Sequence, residues 1–217
     1  MKKLKILIIA SVSIVGVLWL RGTIDSSIAS AANTADTKFS QTITPGVLSA
    51  FFCSGPNYTP VSDPIFKMDT KSVQLNSQNA EGEFGNNNAL LCIVNPGAAD
   101  NGWTLTLNAT NPGVSEWTTG DGKKYKYNDR YIGQGALTVD PSVGTLAVFS
   151  PYTRTGITVG SSARFSGSDS VTLMSASASA DDFWRGQIKG IKLKQFIPPS
   201  QPSGVYMLPM TQTITAL

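Results

Sequence analysis

The chain has 217 residues, a formal net charge of +3, two cysteines and no histidine. Zinc sites of the usual kind need histidines or more thiolates than two, and Ser-His-Asp or Cys-His centres need a histidine. The composition therefore excludes both classes of site. We expect a protein that holds no metal and no small-molecule cofactor.

The first 31 residues have the layout of a secretory signal peptide. Three lysines stand before an uncharged apolar run at residues 6–20, and small residues follow at 29–32. This order predicts export and cleavage after Ala31. The alternative is an uncleaved membrane anchor, for which the run is short, because a helix that spans a bilayer needs about 20 apolar residues.

Without this leader the chain is electrically neutral. Residues 1–31 hold four of the 17 basic and one of the 14 acidic side chains, which leaves 13 of each in the remainder. Proteins that bind nucleic acid carry a basic face, so we predict no nucleic-acid partner. Residues 32–38 predict a short flexible segment, and residues 39–217 are long enough for one domain with a sizeable core.

The first third of the predicted domain alternates strands with loops. Residues 39–44 (FSQTIT) and the apolar run at 47–53 predict two strands, and residues 65–68 and 72–75 are short strand candidates. Residues 76–88 are rich in asparagine and glycine. They predict a long, mobile surface loop.

The two cysteines lie in apolar runs. Cys53 ends the run at 47–53, and Cys92 lies within the run at 89–94 (ALLCIV). In an exported protein this even pair predicts a disulfide that stabilises the fold by about 4 kcal/mol. The alternative is two buried free cysteines.

Residues 102–110 (GWTLTLNAT) carry the clearest strand pattern of the chain. Trp103, Leu105, Leu107 and Ala109 fall on one side of an extended chain, and threonine and asparagine fall on the other. The segment therefore predicts a strand with one buried face and one wet, threonine-rich face.

A polar excursion follows at residues 115–135. Its stretch at 123–127 (KKYKY) alternates lysine with tyrosine, which predicts a hairpin arm with exposed tyrosines. Amphipathic rings suit wet recognition surfaces, whereas the alternative for them is ordinary packing. The candidate exposed patch consists of Trp117, Lys123, Lys124, Tyr125, Lys126 and Tyr127.

The remaining sequence repeats short alternating segments between turn residues, at 136–139, 145–149, 156–160, 170–174, 188–196 and 205–215. The Ser/Ala tract at 175–180 predicts a loop, and residues 180–184 predict a single helical turn. No segment has a sustained helical period. The pattern predicts an all-β fold, a single sandwich of short antiparallel strands.

The two ends of the predicted domain share a sequence. Residues 40–44 (SQTIT) match residues 211–215 (TQTIT) in four of five positions. One interpretation is self-association through terminal strands that add to a neighbouring sheet. The alternative is chance, because threonine and isoleucine are favoured in any strand.

Residues 102–107 (GWTLTL) resemble the first Trp-x-Leu signature of the WxL domains of Gram-positive cell-surface proteins. The tail at 196–206 (FIPPSQPSGVY) is similar to the proline-bearing and Gly-x-Tyr stretch of those domains, although Gln212 and Ile214 replace the second Trp and Leu. The resemblance covers roughly residues 92–217. It implies an exported β-sandwich that binds the cell wall non-covalently, with Trp103, Leu105 and Tyr206 as signature residues.

We therefore expect a non-catalytic, extracellular surface protein whose partners are a cell-wall polymer or other surface proteins. The alternative is a structural subunit of a pilus, fibre or surface layer. A secreted hydrolase is a third hypothesis. It needs a pair of carboxylates across a cleft, and the three glutamates, Glu81, Glu83 and Glu116, follow no pattern that specifies one.

Overall fold

The computed structural model describes residues 38, 40–55, 57–166 and 170–217. The predicted signal peptide and almost all of the segment 32–38 lie outside the described residues. The chain divides into two units, Met1–Thr42 and Ile43–Leu217. No helix in the described residues is long and apolar enough to cross a membrane.

The described residues form strands joined by turns and two short 3-10 helices, Ile132–Gln134 and Pro141–Val143. The strands are β1 Ser49–Ser54, β2 Thr59–Pro60, β3 Gln78–Phe84, β4 Leu90–Pro96, β5 Gly102–Ala109, β6 Trp117–Thr118, β7 Lys124–Tyr125, β8 Ala136–Asp140, β9 Thr145–Val148, β10 Ile157–Val159, β11 Ala163–Arg164, β12 Ser170–Ser177, β13 Phe183–Lys189, β14 Ile191–Ile197 and β15 Met210–Ala216.

Three antiparallel sheets pack over a common core. The first sheet has the order β2-β1-β4-β13-β9, the second β10-β12-β5-β15 and the third β11-β8-β14-β3, and β6 pairs with β7 in a small separate ribbon. The inward side chains of these sheets form a continuous buried apolar cluster. The predicted all-β sandwich is confirmed.

Strand β5 lies inside the second sheet, between β12 and β15. Its burial alternates as the sequence predicts, because Trp103, Leu105, Leu107 and Ala109 are buried and the residues between them are half-exposed. The Trp103 ring lies 5.6 Å from the ring of Trp184 on β13, which joins the second sheet to the first. Large apolar side chains on both sheets therefore form the centre of the fold.

The asparagine- and glycine-rich stretch at 76–88 is not the mobile loop that we predicted. It contains β3, which pairs with β14 along its whole length. The strand forms because one of its faces is apolar, with Ala80 and Phe84 buried. On the opposite face, Glu81 lies 3.0 Å from Lys192 on β14. The buried apolar face and the ladder to β14 therefore hold β3 in the sheet, and the exposed ion pair adds little.

The predicted strands at 65–68, 72–75 and 40–44 are absent from the described residues. Met68 makes one isolated bridge to Gly82, and residues 40–47 are exposed and outside any strand. These segments alternate in sequence, but in the described residues none of them forms a continuous ladder with a neighbouring strand. Phe39, the first residue of the predicted strand 39–44, lies outside the described residues.

The C-terminal half contains three further differences. The predicted strand 188–196 is two strands in different sheets, because Gly190 adopts φ +70° between β13 and β14. The predicted loop at 175–180 begins inside β12, where Ala176 pairs with Trp103, and β13 replaces the predicted helical turn. The last strand is shorter than 205–215 and begins after Pro209, which lacks the N–H group of a ladder.

Candidate functional site

The disulfide joins neighbouring strands. Cys53 on β1 and Cys92 on β4 are bonded and fully buried, and they pack with Tyr58 and Leu90 in a small second core. The predicted bridge is confirmed. Structural disulfides persist in oxidising compartments, so the bridge indicates such an environment for the folded chain.

The structure separates the signature residues of the Trp-x-Leu resemblance. Trp103 and Leu105 are buried at the centre of the core, whereas Tyr206 lies in the loop before β15. The Tyr206 hydroxyl donates to the Pro202 carbonyl at 2.8 Å and accepts from the Gln201 amide at 2.8 Å. Trp103 and Leu105 therefore act as core residues, and only Tyr206 lies near the surface.

Tyr206 joins part of the predicted aromatic patch. The rings of Trp117 and Tyr125 are stacked with centroids 6.0 Å apart, and the Tyr206 ring meets Tyr125 edge-on at 5.0 Å. All three side chains are half-buried. We call Trp117, Tyr125 and Tyr206 the aromatic ledge.

Backbone and side-chain bonds from distant segments hold the aromatic ledge. Trp117 and Tyr125 face each other in the β6–β7 ribbon, and Thr118 exchanges two backbone bonds of 2.9 Å with Met207. The Trp117 indole N–H donates to the Gln195 side-chain oxygen at 2.8 Å. Three parts of the chain thus fix the rings in one geometry.

Gln195 is the residue that our sequence interpretation missed. Its side chain is fully buried, and its amide donates to the Phe196 carbonyl at 2.7 Å. The signal was present in β14, where Ile191, Leu193 and Gln195 share the buried face. A polar residue on an apolar face needs hydrogen-bond partners, and the Trp117 indole is the partner of the Gln195 side-chain oxygen.

The turn between β6 and β7 places Lys123 against the C-terminal loop. Its ammonium group lies 2.8 Å from the Asp121 carboxylate and donates to the Ser203 carbonyl at 3.0 Å. The hydrogen bond from Lys123 holds the pKa of Asp121 below its ordinary value, and the same bond raises the pKa of Lys123. Lys123 therefore ties two loops together.

The other patch residues divide between two faces of the chain. Lys124 and Lys126 are exposed, with Lys124 4.0 Å from Glu116 and Lys126 3.5 Å from Asp129. Tyr127 is fully buried and packs edge-on against Phe165 at 5.2 Å. The expectation that Tyr127 is exposed is wrong, because the alternation sends both tyrosines inward and both lysines outward.

The surface around the aromatic ledge combines exposed apolar side chains with the paired charges of Lys124 and Glu116. Val205 and Met207 flank Tyr206 and are 81% and 47% exposed, and Lys124 is exposed beside Tyr125. A sugar ring stacks on an aromatic face, and an ammonium group pairs with an acidic substituent. The ledge thus presents an aromatic ring cluster with an exposed ammonium group beside it.

A second pair of polar groups lies beside the disulfide. The Arg185 guanidinium stands 3.8 Å from the centre of the Tyr58 ring, which is a cation–π contact. Burial raises the pKa of Tyr58 to about 12, and the nearby Arg185 charge opposes part of that rise. More than a hundred residues separate the two in sequence, so no local pattern predicts the contact.

Alkaline solution is expected to destabilise the folded chain through Tyr58. The pKa of Tyr58 is 10 in the unfolded chain and about 12 in the folded chain. The contribution of Tyr58 to the free energy of unfolding is therefore fully present below pH 10 and decreases as the pH rises from 10 to about 12. Urea unfolding at several pH values across this window measures the decrease.

Tyr58→Phe is the matched variant for this alkaline effect. The substitution keeps the ring beneath Arg185 and removes the titratable hydroxyl. The unfolding free energy of the variant should therefore fall less than that of the wild type between pH 10 and 12. Equal falls in the two proteins would contradict a raised Tyr58 pKa. Burial also raises the pKa of Tyr125, and both proteins retain that residue.

The fold and the site define a disulfide-linked all-β sandwich with a half-buried aromatic ledge. Among the described residues, no group of three or more histidine, cysteine, aspartate or glutamate side chains is placed to hold a metal ion. Comparison with protein-family models, with curated proteins and with solved structures finds no match. Membership of the WxL family stays a prediction from the residues quoted above.

Proposed function

We propose that this protein is a non-catalytic, exported surface protein whose β-sandwich attaches to the cell wall or to another extracellular polymer through the aromatic ledge. The observation that carries the proposal is the ledge itself. Trp117, Tyr125 and Tyr206 are half-buried rings held in contact by bonds from three separate segments. Rings fixed before binding lose little conformational freedom when a polymer is bound.

The surroundings of the ledge support a polymer rather than a small, enclosed ligand. Val205 and Met207 extend the apolar surface along the loop, and Lys124 adds an exposed positive charge. Such an open surface contacts several units of a repeating chain. The disulfide supports export, since it indicates an oxidising compartment.

The carboxylates considered for a hydrolase have other contacts. Glu81 pairs with Lys192 across two strands at 3.0 Å, and Glu116 lies 4.0 Å from Lys124 beside the ledge. Surface ion pairs of this kind contribute little to stability but fix the direction of side chains. These contacts support a surface role for both glutamates.

Sedimentation with purified peptidoglycan tests the proposal. The folded wild-type protein is expected to pellet with the polymer, and Tyr125→Ala is expected to bind about tenfold more weakly, because a ring contact is worth up to about 1.5 kcal/mol. Tyr125→Phe keeps the ring and is expected to bind as the wild type does. Thermal unfolding of each variant shows that the sandwich is intact.

Two results would contradict this proposal. The first is that the wild type remains in the supernatant both with peptidoglycan and with an acidic wall polymer. The second is that folded Tyr125→Ala pellets to the same extent as the wild type. The first result removes wall attachment, and the second removes the ledge as its site. Lys126→Ala serves as a control, because Lys126 is exposed and belongs to the same stretch but not to the ledge.

A further inference from the structure

Strand β15 is a long sheet edge without the protection that the other edges have. It ends the second sheet, and its sequence, MTQTITA, holds no charge, proline or glycine. Sheet edges normally carry charges, proline or a covering segment, or they are very short, since an open edge pairs with other chains. An edge of seven residues without these devices is a surface for strand pairing.

The other edges in the described part of the chain show the contrast. Strands β2, β10 and β11 have two or three residues, and β9 has four. Strand β3 has seven residues, but it carries Glu81 and Glu83, and the Asp69 amide bonds the Glu81 carbonyl at 2.7 Å. Among the sheet edges in the described residues, β15 alone combines length with an unprotected outer side.

Register shows which backbone groups of β15 point away from β5. The Pro209 carbonyl accepts from Thr110 at 3.1 Å, and the Leu217 amide donates to Gly102 at 3.0 Å. Hydrogen-bonded pairs alternate along an antiparallel ladder, so the odd-numbered residues between them bond to β5. The N–H and C=O groups of Met210, Gln212, Ile214 and Ala216 therefore point to the open side.

Strand β1 lies close to β15 at this border of the sandwich. Within the described residues, however, β1 pairs with β2 and β4 and exchanges no backbone hydrogen bond with β15. The outward groups of β15 thus have no backbone partner among the described residues. Thr213, Thr215 and Ala216 are exposed along this edge.

The sequence of β15 is complementary to itself. In an antiparallel pair of two copies centred on Thr213, Gln212 meets Ile214 of the second copy and Met210 meets Ala216. These are the residues with outward backbone groups, so every one of them gains a partner. Thr211 meets Thr215 on the opposite face, and Thr213 meets itself.

The side chains fit the same arrangement. The threonines of β15 lie on the outer face beside Thr104 and Thr106 of β5, so pairing would extend an existing threonine ladder across the two copies. Opposed threonines stabilise antiparallel strands. No charge on β15 meets its own copy across the two-fold axis.

We propose that β15 joins two copies of this chain edge to edge in a two-fold dimer, with Thr213 at the axis and the second sheets continuous across the junction. The contact is isologous, so it closes at two copies and does not propagate. This inference is independent of polymer binding by the aromatic ledge. It gives a specific form to the self-association that the terminal strands suggest.

Introducing a charge at Thr213, on the two-fold axis, tests the proposal on the mature full chain. Thr213→Lys and Thr213→Glu each place like charges opposite one another, and each is expected to weaken the dimer about fivefold or more. An equimolar mixture of the two variants is expected to restore association, because Lys and Glu then face each other. Sedimentation equilibrium over a concentration series measures all three samples.

The control variant is Thr158→Lys. Thr158 is an exposed residue on β10, the opposite edge of the same sheet, and its change should leave the dimer intact. The proposal is overturned by a wild type that is monomeric at every concentration, by Thr213 variants that associate like the wild type, or by a mixture that remains monomeric. Loss of the dimer in Ile43→Lys would also overturn it, since the partner would then be the segment at 40–44.

Discussion

Replacement of Trp103 with alanine should lower the free energy of unfolding by about 3–5 kcal/mol, the usual cost of removing a buried tryptophan. Trp103 is 1% exposed, and its ring packs against Trp184 on the facing sheet at 5.6 Å. The substitution removes that contact and leaves a cavity between two sheets. Denaturant unfolding followed by circular dichroism measures the loss.

Thr104→Ala is the matched control for Trp103→Ala. Thr104 is the next residue of β5 and lies on the half-exposed outer face, so its change should cost less than about 1 kcal/mol. Similar losses in the two variants would contradict the two-faced description of β5. The pair therefore tests whether the alternation in residues 102–110 is what holds the sheets together.

The Trp103 result also separates two interpretations of the Trp-x-Leu resemblance. If Trp103 acts through the core, Trp103→Phe should retain much of the stability and all of the polymer binding of the wild type. If Trp103 contacted a polymer, Trp103→Phe would weaken binding while the protein remained folded. Its burial favours the first outcome, which is consistent with the proposal that polymer binding takes place at the aromatic ledge.

The sequence was sufficient to predict β5, the all-β class and the disulfide, because each of these has a local signature. Alternation in 102–110 reports one buried face directly. Cys53 and Cys92 lie in two apolar runs, and those runs become the neighbouring strands β1 and β4. The neighbours of β5 in its sheet were not predictable, since register depends on chain segments far apart in sequence.

The failed predictions arise where tertiary contacts override composition. The asparagine and glycine content of residues 76–88 predicts a loop, but this segment contains β3, which forms a strand because it pairs with β14. Residues 40–44 show the reverse, since their alternation predicts a strand and the structure gives them no pairing partner. Strand propensity alone does not decide between these outcomes, because it measures packing against neighbours.

The aromatic ledge was only half predictable. Closeness in the chain is enough to predict that Trp117 and Tyr125 belong to one patch, but Tyr206 joins them from another segment. The alternation of lysine and tyrosine predicts that Tyr127 is exposed, but Tyr127 is buried and points the same way as the half-buried Tyr125. Spacing by two residues predicts which side chains point to the same side of a strand. How deeply each side chain is buried depends on packing partners such as Phe165.

Loss of the disulfide should lower the free energy of unfolding by about 4 kcal/mol, because the bridge restricts the unfolded chain. Cys53 and Cys92 are 39 residues apart, so the unfolded chain gains considerable conformational entropy when the bridge is removed. Cys53→Ala with Cys92→Ala removes the bridge without leaving a free thiol. Denaturant unfolding under oxidising conditions, compared with the wild type, measures the loss.

A mutant cycle shows whether this loss belongs to the bridge or to packing. Cys53→Ala alone already opens the bridge, so adding Cys92→Ala should cost only about 1 kcal/mol more. The wild type reduced with a thiol keeps both sulfur atoms, so it should be more stable than either single variant by only about 1 kcal/mol. Two full and additive losses would contradict the loop-entropy explanation, because cavities in the small core around Tyr58 and Leu90 would then account for the effect.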